Sequence, residues 1–169
     1  RDGSFSAAFS QVNENAVGSS GSIEISGNRV EIANGAQLSA STSGLGDAGL
    51  IKITGTEIVF DGESAGGRSF SQIVSQVFTG AEGNSGGVEL KGDTVSFING
   101  AFIDASTLGR GNAGAIAISS GDLILSGESS TNSPSFIASI IRENAIGSSG
   151  GIKVNAANLF LQNGSRLVT

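Results

Sequence analysis

The sequence predicts an all-β protein, a right-handed parallel β-helix (β-solenoid) of about five turns with three short strands in each. Three observations lead there. The first is self-similarity: Gly83–Ile118, GNSGGVELKGDTVSFINGAFIDASTLGRGNAGAIAI, meets its own opening again at Gly111-Asn112-Ala113-Gly114, and Gly18–Ile53 is an earlier copy. Repetition at a fixed period marks a solenoid. The second is alternation of apolar and polar residues inside each copy, which is the period of a strand. The third is composition: 27 Gly and one Pro with 38% apolar residues, and no Gly-X-Y period that would suggest collagen.

The first strand of each turn carries the inward pairs Ile23/Ile25, Ile51/Ile53, Val88/Leu90, Ile116/Ile118 and Ile152/Val154. Short turns of 28 residues alternate with long ones of 36–37. The implied turns are 21–48, 49–85, 86–113 and 114–149, with 150–169 a partial turn and 1–20 the end of a preceding one. Stacking predicts that Ile23, Ile51, Val88, Ile116 and Ile152 form one interior ladder. The second strand carries Val30/Ile32, Ile58/Phe60, Val95/Phe97, Leu123/Leu125 and Leu159/Leu161. In the short turns a third strand follows an Asn-Gly corner, at Asn34-Gly35 and Asn99-Gly100, and the same corner recurs at Asn163-Gly164. Asn and Gly suit corners because both tolerate positive φ. The only proline, Pro134, falls in a Ser/Asn-rich part of a long turn, where no ladder donor is lost.

Outward positions separate into two kinds. Glu24, Lys52, Glu89, Ala117 and Lys153 form a column of largely alternating charge, which cross-strand pairing favours. The second-strand column is polar in the short turns (Glu31, Ser96) but apolar at Val59, Ile124 and Phe160. That pattern predicts a covered or partner-binding face, with the extra segments Gly62–Phe78 and Gly127–Ile141 folded over it. Near the start, Phe5–Gly21 is similar to Phe136–Gly150, as the tail of a long turn would be. The chain thus reads as one solenoid segment, a piece of a longer repeat protein.

Chemistry is constrained by what the sequence lacks. There is no Cys or His, so a disulfide frame, a thiolate or imidazole metal cage and the usual serine or cysteine triads are excluded. Nine basic against fifteen acidic residues give a net charge of -6, with no basic patch to neutralise nucleic-acid phosphates. No apolar run approaches the length of a membrane span, and no signal peptide is visible. No cofactor is expected.

Gly44-Leu45-Gly46-Asp47-Ala48-Gly49 and Gly109-Arg110-Gly111-Asn112-Ala113-Gly114 match G-x-G-x-x-G. A dinucleotide site needs that loop to open a helix; here each copy leads into a strand, so both read as corners. The strongest candidates for acid–base chemistry are Asp61, Glu63 and Glu82, with Arg68 near in sequence; in the next long turn Asp61 and Glu63 align with Ser126 and Glu128. They support an alternative reading as a carbohydrate-active β-helix of the lyase or hydrolase kind. Asn163-Gly164-Ser165 is a formal glycosylation sequon that coincides with the repeated corner.

The pattern G-[ND]-[AS]-G-x-[IV]-x-[IV], then V-x-[IF], then N-G-A-x-[LI]-x-A-S-T resembles the repeat region of filamentous-haemagglutinin-like exoproteins of the cyanobacterial type. It is carried by Gly46–Gly49, Gly83–Gly86, Gly111–Gly114, Asn34–Thr42 and Asn99–Thr107, and it covers essentially the whole chain. The resemblance implies export by two-partner secretion, with an outer-membrane secretion partner, and a rod at the cell surface or released from it. It implies a structural or adhesive, non-enzymatic role, meeting a surface receptor or carbohydrate. No catalytic residue can be carried over, since the repeat motif has none. End-to-end self-association, or continuation of the same chain, would cover the open terminal turns, and a passive scaffold in a larger surface protein is the further alternative.

Overall fold

The computed structural model describes residues 6–64 and 67–169, and every described element is a strand. Five long strands, β2 (Ile23–Ala33), β4 (Ile51–Asp61), β6 (Val88–Ile98), β8 (Ile116–Ser126) and β10 (Ile152–Leu161), alternate with six short ones. The short strands are β1 (Ala7–Val12), β3 (Gln37–Thr42), β5 (Gln72–Val74), β7 (Phe102–Asp104), β9 (Phe136–Ala138) and β11 (Arg166–Val168). Long strands pair only with long ones, in the order β10-β8-β6-β4-β2, and short with short, in the order β1-β3-β5-β7-β9-β11. All pairings are parallel. Two parallel sheets built in this repeated order are consistent with a parallel β-helix or solenoid.

The register aligns Ile23, Ile51, Val88, Ile116 and Ile152 in one column. Ile51, Val88 and Ile116 are buried, whereas Ile23 and Ile152, on the outer strands, are half-buried. From the other sheet, Leu38, Ile73, Ile103 and Ile137 form a second column that joins the same hydrophobic cluster. Each such Ile or Leu contributes about 1.5–3 kcal/mol by leaving water.

Three differences from the sequence reading have physical causes. The expected first and second strands are one continuous strand. Ile51 and Ile53 point inward and so do Ile58 and Phe60, although an even number of residues, Thr54 to Glu57, separates the two pairs. Strict alternation would send one pair outward. The chain absorbs the mismatch at Asn28, Thr56, Asp93, Gly121 and Ala157, which the ladder leaves unpaired in every repeat.

The third strand is present in the long repeats as well: β5 and β9 align with β3 and β7. Much of Gly62–Phe78 and Gly127–Ile141 therefore belongs to the wall, and the inserted part is a small antiparallel hairpin marked by the Glu63–Phe70 and Glu128–Pro134 bridges. Ala65-Gly66 within the first insertion, and Phe5 near the start, lie outside the described residues. At the N-terminal end, Ala7 shares a column with Phe136, through Gln37, Gln72 and Phe102.

Candidate functional site

The residues that looked most like a ligand loop form the corner that leads into each long strand. Gly18, Gly46, Gly83 and Gly111 have φ between 136° and 151°, and each donates its N–H to the next repeat, as Gly46 does to Glu82 O at 2.8 Å. A Cβ on Gly46, Gly83, Gly111 or Gly147 would fall far inside contact distance of the carbonyl of the preceding repeat's glycine. The second glycine of each motif, at 49, 86, 114 and 150, is equally enclosed. Glycine is required here because two backbones pass face to face.

Between the glycines runs a polar ladder. Asn84 donates its backbone N–H and its side-chain amide to Asp47 Oδ1, at 2.7 and 3.0 Å. The backbone N–H of Asn112 donates to Asn84 Oδ1 at 3.0 Å, and that of Ser148 to Asn112 Oδ1 at 2.9 Å. The [ND] position of G-[ND]-[AS]-G thus links one repeat to the next.

The corner after each long strand is built on the same logic. Asn34, Gly62, Asn99, Gly127 and Asn163 all adopt φ between 52° and 79°. Gly35 N and Gly100 N donate to Ser71 Oγ and Ser135 Oγ of the following repeat, each at 3.1 Å and buried. The hairpin insertions meet this corner and each other, since the backbone N–H of Ser130 donates to Glu63 Oε1 at 2.9 Å. Neither the equivalence of Gly62 and Gly127 to the asparagines nor the role of Ser71 and Ser135 was evident in the sequence. The clue is a serine at the same offset before β5 and β9.

The acidic candidates do not converge. Asp61 Oδ1 accepts from the Asn99 side chain at 2.8 Å, while Glu63 accepts from Ser130. Glu82 lies at the other corner, between Leu45 and Arg110, and its carboxylate is 3.5 Å from the Arg110 guanidinium. Arg68 is exposed. Among the described residues no group of three or more acidic side chains is arranged to hold a metal ion.

Val59 is 9% exposed, Ile124 is half-buried and Phe160 is 42% exposed. Glu31, Val59, Ser96, Ile124 and Phe160 share one column, as expected. The column Glu24, Lys52, Glu89, Ala117 and Lys153 is also in register, but it makes no ion pair among the described residues. Exposed side chains of this kind gain little by pairing. The charge pairs form elsewhere. Arg29 binds Glu57 and Glu31, and these hydrogen bonds, that to Glu57 foremost, raise its guanidinium pKa above the ordinary value. Arg142 reaches Asp104 Oδ2 at 2.9 Å, and Asp104 is 6% exposed. Among the described residues no helix is long and apolar enough to cross a membrane.

No protein-family model, curated protein or solved structure matches the chain.

Proposed function

We propose that this chain is a stretch of right-handed parallel β-helical rod that serves as a structural or adhesive element outside the cell. The observation that carries the reading is where the polar side chains are directed. Asp47, Asn84, Asn112, Asp61 and Asn99 form hydrogen bonds from one repeat to the next. Residues used this way hold repeats in register; they are not poised toward a substrate. Right-handed winding follows the strong general preference of parallel crossovers.

Secretion through an outer-membrane partner, and a place at the cell surface, rest on the resemblance of G-[ND]-[AS]-G and N-G-A-x-[LI]-x-A-S-T to filamentous-haemagglutinin-like repeats. Strands β2 and β10 are the outer strands of their sheet, and Leu159, Phe160 and Leu161 of β10 are exposed. Such edges are covered in a continued rod or by a second copy stacked end to end.

The test is incubation with neutral and acidic polysaccharides, beside electron microscopy of concentrated protein. A rod leaves the polysaccharide chain lengths unchanged and lengthens into filaments. Shortening of the polysaccharide that is lost in Asp61→Asn or Glu82→Gln would establish the carbohydrate-active alternative instead.

A further inference from the structure

Among the described residues nine large apolar side chains are exposed, and five of them belong to the terminal strands β1, β10 and β11. The other four, Val17, Leu45, Ile141 and Ile146, lie on the segments that lead from the short strands to the long ones. Three of them share a column. Parallel bridges align Val17, Leu45, Glu82, Arg110 and Ile146 along one edge of the molecule. All five point into solvent: Val17 is 81%, Leu45 48% and Ile146 60% exposed, and the Glu82 and Arg110 side chains are 60% and 67% exposed. Isolated exposed apolar residues need no explanation, but an aligned stripe does.

The order along the stripe, apolar–acidic–basic–apolar from Leu45 to Ile146, is self-complementary when reversed. We propose that this edge docks a second copy of the chain, side by side and antiparallel, about a two-fold axis between Glu82 and Arg110. On that axis Glu82 faces Arg110 of the second copy, Arg110 faces its Glu82, and Leu45 meets its Ile146. Leu45 also forms one wall of an open notch of about 620 Å³ shared with Phe78, Thr79 and Glu14, which gives the incoming Ile146 a place to seat. The arrangement is isologous, so it closes at two copies. It is independent of end-to-end stacking, which is heterologous and continues to grow.

Sedimentation equilibrium of the 169-residue chain at rising concentration tests this, with circular dichroism confirming that each variant is folded. Wild type is expected to associate in pairs through this edge, over and above any end-to-end growth, which substitutions at Glu82 and Arg110 leave unchanged. Glu82→Arg and Arg110→Glu each place like charges together twice, so each weakens self-association by about tenfold or more. Mixing these two variants brings opposite charges together at both contacts and restores a heterodimer; Leu45→Glu lowers association without charge rescue. A wild type that stays monomeric overturns the proposal. So does association that ignores both reversals, or a mixture that fails to recover.

Discussion

Phe60 lies flat on Phe97 of the next repeat, with ring centroids 4.6 Å apart and planes 4° from parallel. Neither ring is accessible to solvent. A parallel pair at this centroid distance falls within the range of stacked aromatic contacts. It arises because the register places identical residues directly over one another in β4 and β6.

Truncating one of these rings should therefore leave a cavity between repeats. Phe97→Ala is expected to cost about 3–5 kcal/mol. Phe160→Ala, whose side chain is 42% exposed on the outer strand β10, should cost far less. Denaturant titration of both variants checks the contrast.

Glycines with positive φ should divide into two classes. Gly80 has φ of 84° with open space around its α-carbon, and Asn15 and Asn144 occupy the equivalent turn position in other repeats. Gly80→Asn should be close to neutral. Gly83→Asn forces a side chain into the carbonyl of Gly46 and should cost at least about 1–3 kcal/mol, read from the shift in thermal midpoint.

The Asp104 carboxylate is nearly buried and holds two partners, the backbone N–H of Ser106 at 3.0 Å and the Arg142 guanidinium. Arg142→Ala removes one and should destabilise by about 1–3 kcal/mol. Arg142→Ala combined with Asp104→Ala should be less destabilised than the sum of the two single variants, because no unpartnered carboxylate is left behind.

Asn-Gly sequences lose ammonia when the glycine nitrogen attacks the asparagine side-chain carbonyl carbon. At Gly35 and Gly100 that nitrogen is engaged by Ser71 and Ser135. Ser71→Ala should speed deamidation at Asn34 alone, and Ser135→Ala at Asn99 alone, followed by peptide mass mapping after incubation at mild alkaline pH. Equal rates in all three proteins would show that the hydroxyls do not protect the corners.

The ladder from Ile23 to Ile152 was legible because inward positions repeat with little substitution. The continuity of the long strand was not, since alternation breaks at Thr56 and its equivalents, and a break in period also signals a loop. β5 was hidden by position: Gln72-Ile73-Val74 shares its glutamine and its inward aliphatic residue with Gln37-Leu38-Ser39, but the inserted hairpin sets it farther from the end of the long strand, and the pairing of Ile73 with Leu38 reveals the equivalence. The G-x-G-x-x-G corners were recognised as corners, whereas the division of Asp61 and Glu82 between two corners depends on how many residues the hairpin consumes. Sequence spacing alone does not reveal that. The apolar stripe through Leu45 and Ile146 was likewise invisible, because its members come from linkers of differing length.

The central claim is that successive repeats lie one strand spacing apart in register. The chain has no cysteine, so pairs of spin labels can be placed freely on the outward column. Glu24 and Lys153 are separated by four strand steps, and their backbones should lie about 19 Å apart, with Glu24 and Ala117 about 5 Å closer. Electron paramagnetic resonance should return a narrow distribution for each pair that lengthens by one step between them. A broad distribution, or a Glu24–Lys153 separation no greater than Glu24–Ala117, would contradict the stacked register.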